Sequence, residues 1–405
     1  MAADQSAAIQ DEKEGNYGES SRCSINDLTD DALIRIFSYL SPADRLALEI
    51  VSKRWSGILK DMWKSVKTIV WKDFHKQVVV PKSSCKCKGE TEFQWVLCLK
   101  NVETVCARKL ASVVRMDFRD TKLSPEEPLQ YRDILRMVSA QELPNLRQLD
   151  FENVSALHEE FAGGFIDVNE GILASLEYLN ISGCIHGDEQ QRNANVESAV
   201  AFWFSHCHKL RELKMSEVHA TGFCLAELPE TLEKFTIDDN SPRSFPGFVD
   251  VCQLKAMHFF GGGACERPKL KELRLYKGVV EFEGLSVSSI LSTAPNLTIL
   301  DLSHINGLQS FKDIGGFQHL TELYLNRMEL AMEDVAVIQS EDVDPDQLRP
   351  DQLTHPSFLY MLARSPLKNS LKILYLNGLS MFYQTPDQNL EEIGRFKFLE
   401  VRSQF

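Results

Sequence analysis

The residues best equipped for chemistry in this chain are its thiols and imidazoles. Cys85-x-Cys87, with Cys98, Cys106 and His75 in the surrounding sequence, supplies donors of the kind zinc accepts. The spacing is not the C-x-x-C or H-x-x-x-H pairing of a structural zinc site, so this lysine-rich run reads as a reduced loop. His206-Cys207-His208 falls at the end of a predicted helix, where adjacent side chains point in different directions and do not close on one ion. Gly261-Gly262-Gly263 has neither the Lys-Ser/Thr of a phosphate loop nor the G-x-G-x-x-G spacing. No G-x-S-x-G elbow and no H-E-x-x-H pair occurs. The expectation is a non-catalytic protein with no metal and no other cofactor.

What remains is binding, and composition narrows the partner. The chain has 405 residues, 43% of them hydrophobic and 25% charged, which is ordinary for a folded protein. At this length one compact core gives way to two domains or an elongated repeat array. The net charge of −14, from 44 Lys+Arg against 58 Asp+Glu, argues against nucleic acid as a partner. No run is apolar enough for a membrane span, and the polar start (Met1–Arg22) has no signal-peptide core. Ten cysteines without such a signal fit reduced thiols, so the expected location is cytoplasmic and/or nuclear.

Along the chain, residues 1–23 are acidic, Gly/Ser-containing and without period, and read as a disordered tail. Residues 24–65 read as a three-helix unit. Leu33, Ile36, Phe37 and Leu40 form one helical stripe that Asp30 or Asp31 can cap. Ser41, Pro42 and Asp44 sit as N-cap, N1 and N3 of a second helix. Val51, Trp55, Ile58, Leu59 and Met62 mark a third. So small a unit buries little surface by itself, and Ile34, Leu48 and Ile50 lie off its stripes. It is expected to bury a face against a second body, either a partner helix or the rest of the chain.

Residues 66–405 carry a repeat. The frame Leu-x-x-Leu-x-Leu starts at Leu270, Leu297, Leu320 and Leu371, and the neighbours repeat too: LRELKM, LKELRL, LTELYL and LKILYL. Looser frames start at Val113, Leu146, Leu176, Leu210, Leu232, Leu254 and Phe396, with a possible first frame at Val66. The spacing is ragged but centres in the ~20–29 residue range of leucine-rich repeats. Apolar–polar alternation within the frame predicts a short strand with one buried face. Helical patterns fill the gaps at Pro125–Gln141, Ala194–Cys207, Gly284–Thr293 and Pro356–Ser365. The predicted fold is α/β: the three helices, then a curved solenoid with a parallel sheet on its concave face. Loops are expected at 81–91 and 339–355, the latter acidic and explaining the long gap between Leu320 and Leu371.

In this frame positions 3, 5 and 7 project away from the core onto the inner wall. An aromatic, mixed-charge stretch falls there in the C-terminal half. His258, Arg274, Tyr276, Asp301, Tyr324 and Tyr375 are therefore the candidate substrate contacts.

The N-terminal helices also carry a resemblance. Leu28, then Ile36-Phe37-Ser38-Tyr39-Leu40, Ser41-Pro42-Ala43-Asp44 and Val51-Ser52-Lys53-Arg54-Trp55 resemble the F-box; the family's usual Leu-Pro start is here Leu28-Thr29. With the repeats, the chain is similar to the F-box/LRR group, although of that group's cysteine-containing consensus only Cys184 is in place. The resemblance implies docking to a Skp-type adaptor through Leu28, Thr29, Ile36, Leu40, Pro42, Leu46 and Val51, with Trp55 packing the helices and reaching the contact. It implies a link through that adaptor to a cullin–RING ubiquitin ligase. The expected function is substrate recognition for that ligase, holding an unknown protein for ubiquitination and proteasomal degradation. The alternative is a repeat scaffold or inhibitor that binds a protein without joining a ligase.

Overall fold

The computed structural model describes residues 24–71, 79–81, 95–97, 110–119, 143–154, 170–184, 194–216, 227–238, 266–276, 286–305, 313–326, 362–376 and 393–401. The chain forms two compact units, Met1–Met62 and Trp63–Phe405. The expected tail (1–23), the helix at Pro125–Gln141 and the acidic loop at 339–355 lie outside the described residues.

The first unit is three short helices: α1 (Asp30–Ser38), α2 (Pro42–Leu48) and α3 (Lys53–Ser65), whose last turn enters the second unit. Thr29, and not Asp30 or Asp31, caps α1: its hydroxyl accepts the Ala32 N–H at 3.3 Å. The two aspartates lie inside the first turn, where their charge favours the positive end of the helix. Ser41 caps α2 as expected, accepting the Asp44 N–H at 3.1 Å, with Pro42 at the start. Leu33, Phe37, Trp55, Ile58 and Leu59 form the core, with Leu28, Leu40, Leu48 and Met62 half-buried against it. Leu48 therefore packs inside the unit, although the stripe pattern set it aside. Two arginines tie the helices together. Arg45 donates to the Phe37 and Ser38 carbonyls at the end of α1, each at 3.0 Å. Arg54 reaches from α3 to Asp30 Oδ1 at 2.8 Å and the Asn26 carbonyl at 2.7 Å.

In the second unit the frames become strands. These are β1 (Thr68–Val70), β4 (Arg115–Asp117), β5 (Gln148–Asp150), β6 (Tyr178–Asn180), β7 (Glu212–Lys214), β8 (Lys234–Asp238), β9 (Glu272–Tyr276), β10 (Ile299–Asp301), β11 (Glu322–Tyr324), β12 (Ile373–Tyr375) and β13 (Glu400–Val401). They build one 11-stranded sheet in chain order, every neighbouring pair parallel. The register stacks position 4 of each frame on position 4 of the next: Ile69, Met116, Leu149, Leu179, Leu213, Phe235, Leu273, Leu300, Leu323 and Leu374, all buried. Positions 1 and 6 are buried on the same side from Val113 to Leu371 and from Trp71 to Leu325 respectively, so each repeat covers its neighbour's leucines. At about 1.5–3 kcal/mol per buried large aliphatic side chain, this stack is the main favourable contribution. Toward the N-terminal end position 6 is aromatic, and Trp71, Phe118 and Phe151 succeed one another at 5.5 and 5.0 Å between ring centres. Among the described helices, α4 (Glu170–Ser175), α5 (Ala194–His206) and α6 (Val287–Thr293) fill gaps between strands.

Three expectations need correction. The strand β8 pairs directly with β9, Thr236 beside Arg274, so a frame at Leu254 has no place in the ladder between them. The last frame is offset by two residues: Val401, not Leu399, stands beside Leu374. A two-residue slip keeps the same side chains on the same face, so alternation alone does not exclude it. The loop expected at 81–91 starts too early, because β2 (Val79–Pro81) pairs antiparallel with β3 (Trp95–Leu97) and Pro81 lies opposite Trp95.

Three strand exits bend sharply. Asn153, Gly183 and His304, each the eighth residue of its frame, have φ of 61°, 66° and 62°. Their N–H groups reach the next repeat's carbonyls, at Ser182, Ser216 and Asn326, over 2.7–2.8 Å. A Cβ on Gly183 would run into the Asn153 carboxamide. We therefore expect Gly183→Ala to lower stability by about 1–3 kcal/mol, read as a shift in the urea midpoint. An unchanged midpoint would refute the requirement for glycine.

Candidate functional site

Two surfaces are candidates, one in each unit. In the first, the sequence-predicted contacts divide. Leu28, Leu40 and Trp55 turn toward the unit's own core, and Trp55 meets Phe37 edge-on at 5.1 Å between ring centres. Leu46 is half-buried, and Thr29 is exposed while serving as a cap. Pro42 starts α2, and its side chain lies outside the description. Ile36 and Val51 face out at 41% and 56% exposure. Ile25, Ile34, Tyr39 and Ile50 are also exposed, Ile50 at 89%. A unit this short that leaves so many large apolar side chains in water has surface suited to a partner.

The second surface is the strand face opposite the leucine stack. Position 5 runs in register as Val70, Asp117, Asp150, Asn180, Lys214, Thr236, Arg274, Asp301, Tyr324, Tyr375. Four of the predicted contacts are thus neighbours: Arg274, Asp301, Tyr324 and Tyr375. Arg274 donates to Glu272 at 2.6 Å and its guanidinium lies 5.4 Å from the Tyr324 ring centre. Tyr324 stacks on Tyr375, with ring centres 4.9 Å apart and planes at 12°, and its hydroxyl donates to Glu322 at 2.9 Å. Burial and that bond push the Tyr324 phenol up to about 12. Tyr276 takes the next wall position on β9, with its side chain outside the description; His258 lies outside the described residues.

Asp301 plays a different part. Its carboxylate accepts the Ser303 N–H at 3.0 Å and the residue is 7% exposed. Asp117, Asp150 and Asn180 repeat the arrangement, accepting the N–H groups of Arg119, Glu152 and Ser182. Asx side chains at position 5 thus fold back to hold the strand exit. Around two of them a network forms that sequence reasoning did not collect as a site. Asp150 accepts from Arg115 at 2.6 Å, Tyr178 at 3.2 Å and Asn180 at 3.0 Å, while Arg119 grips Asp117 with bonds of 2.7–3.0 Å. Burial raises Asp150; it also pushes Asp117 up, but the hydrogen bonds from Arg119 outweigh it and hold Asp117 below its usual value. The signal for this network was the alternation Arg115-x-Asp117-x-Arg119 in a loose frame.

Residues 25–68 match the F-box-like family. The N-terminal unit is an F-box-like domain. A comparison with curated protein sequences finds no match. Among solved structures the chain is similar to an internalin from Listeria monocytogenes (12% identity, 75% of this chain and 71% of that one, TM-score 0.36). It is also similar to a leucine-rich-repeat protein of Leptospira interrogans (14%, 75% and 67%, 0.36). A third likeness, at 14% identity and TM-score 0.37, is to the TLR13–ssRNA13 complex, where 76% of this chain spans 38% of that one. The in-register leucine stack itself makes the second unit a leucine-rich-repeat array. The chain is an F-box-like domain followed by such an array.

The F-box-like domain exposes residues that sequence reasoning did not name as contacts. Ile25 sits in a capped turn before α1 and Tyr39 at the end of α1, outside any full helical stripe. Among the described residues, no group of three or more His, Cys, Asp and Glu could hold a metal. Cys207 is buried, and burial pushes its thiol up to about 12; Cys184 is raised the same way. A thiol so raised is a poor nucleophile.

The wall's ion pairs give a pH prediction. Burial pushes the Glu272 carboxyl up, but the hydrogen bond from Arg274 and the charges of Arg274 and Lys234 outweigh it, leaving Glu272 below its ordinary value. The stability it contributes is present above the unfolded value of 4.5 and is lost as pH falls through the lower folded value. Glu272→Gln should therefore be less stable than wild type near neutrality, with the difference in urea midpoint closing in acid. A difference that persists in acid would overturn the assignment.

Proposed function

We propose that this protein is the substrate-recognition subunit of a Skp–cullin–F-box ubiquitin ligase. Residues 24–65 dock a Skp-type adaptor, the array from 66 to 405 holds a protein substrate, and a separate enzyme in the complex transfers ubiquitin. The observation that carries this reading is an F-box-like match over a unit that keeps Ile36, Tyr39, Ile50 and Val51 outside its own core. An adaptor surface supplies the apolar contact that three short helices do not make among themselves. Protein binding on the wall is supported by Arg274, Tyr324 and Tyr375 sharing one row, with Arg274 against the Tyr324 ring and Tyr324 stacked on Tyr375, since Tyr and Arg are favoured anchors. The mechanism is proximity: fixing substrate and ubiquitin-loaded enzyme to one assembly raises their effective concentration without catalytic groups here. Degradation in the cytoplasm and/or nucleus follows from the same proposal.

The test is co-purification of a Skp-type adaptor with the full chain. Ile36→Asp and Val51→Asp place charge on exposed positions and should reduce adaptor recovery at least about tenfold with the fold intact by circular dichroism. Leu40→Asp would strike the domain's own core and does not serve. Undiminished recovery in both variants would remove this docking face.

For the wall, Tyr324→Ala with Tyr375→Ala should abolish substrate capture in cells treated with a proteasome inhibitor while leaving adaptor recovery unchanged. Capture that persists would place the substrate elsewhere.

A further inference from the structure

The wall is not uniform. Along position 3 the register runs Thr68, Arg115, Gln148, Tyr178, Glu212, Lys234, Glu272, Ile299, Glu322, Ile373. Only Ile299 and Ile373 in that row are aliphatic. They flank Glu322, and position 5 of the same strands adds the stacked Tyr324 and Tyr375. All of these are half-buried, so they present part of their surface to solvent.

Charge pairing changes at the same place. Among the described residues, the charged side chains at positions 3 and 5 of β4–β10 have oppositely charged partners within 4.0 Å. They are Arg115 with Asp150, Asp117 with Arg119, Lys214 with Glu212, Lys234 and Arg274 with Glu272, and Asp301 with Arg274. Among the described residues Glu322 has no such cation; its partner is the neutral Tyr324 hydroxyl. Arg274 is held by Glu272 and lies over Tyr324, so the wall does not offer that guanidinium to an acidic ligand. The chain's acidic stretch at 339–352 carries the same sign as Glu322 and is no complement to it.

We propose that the β10–β12 face takes a basic, amphipathic segment of the substrate protein. A lysine or arginine head pairs with the Glu322 carboxylate at the edge of the Tyr324–Tyr375 stack, and an adjacent apolar side chain rests on Ile299 and Ile373. A carboxylate beside aromatic rings favours a basic head group. The net charge of −14 steers basic partners toward the chain. This inference rests on reading the wall as the substrate surface.

The experiment is selection of short random peptides displayed on phage against the full chain bound to its adaptor, with Tyr375→Ala protein used to remove unrelated binders. The expected survivors pair Lys or Arg with Leu, Ile or Phe. As synthetic peptides they should lose affinity about tenfold or more on Glu322→Gln, and more on Glu322→Lys, and weaken as salt is added. Survivors that are acidic or neutral, survivors indifferent to Glu322→Gln, or no Tyr375-dependent survivors at all would each overturn the proposal. If cellular capture still depends on Tyr324 and Tyr375 in that event, the wall remains the substrate surface and only its preference for basic segments falls.

Discussion

Parallel strands of two to five residues have no stability alone, so the array depends on one constraint: from Ile69 to Leu374, position 4 must fall on position 4. From Ile69 to Leu374 that side chain is buried. The backbone follows the same rule. The N–H groups at the start of one strand bond to the carbonyl just before its neighbour, as Arg147 and Gln148 do to Val114 and as Lys372 and Ile373 do to Thr321. The leucines and the ladder fix each other, and the pleat then has no choice but to turn positions 3 and 5 away from the core.

That outward row carries two kinds of side chain. Asp117, Asp150, Asn180 and Asp301 bend back to hold their own strand exits, which makes them structural even though they stand on the wall. Where Lys, Arg or Tyr replaces them the side chain is left to its neighbours, and ion pairs, cation–π contacts and the Tyr324–Tyr375 stack result. Beyond Asp301 the described residues at position 5, Tyr324 and Tyr375, stack on each other instead.

The F-box-like domain follows the opposite logic. Its core is made of few side chains, and Arg45 and Arg54 add polar ties that hold helix ends and not faces. Stability from within comes from Leu33, Phe37, Trp55, Ile58 and Leu59, while Ile36 and Val51 stand outside that core and are exposed. Such a division suits a domain whose outer apolar surface is reserved for another chain.

The helices, the caps at Ser41 and Pro42 and the strand at almost every frame could be read from the sequence by itself, because each is set by side chains within about one repeat of each other. So could the wall position of Arg274, Tyr324 and Tyr375. Only the tertiary structure decided which repeats are neighbours. Nothing local to Leu254 says that β8 and β9 pair directly, and the long gap before β12 is likewise bridged by pairing of distant residues. It alone decided that Leu40 faces inward while Ile36 and Tyr39 face out, because a helical stripe gives an angle around the axis and not which neighbour occupies it. It alone separated Asp301 from the tyrosines beside it, since whether a wall aspartate binds its own turn or an incoming ligand depends on the backbone bend that follows the strand.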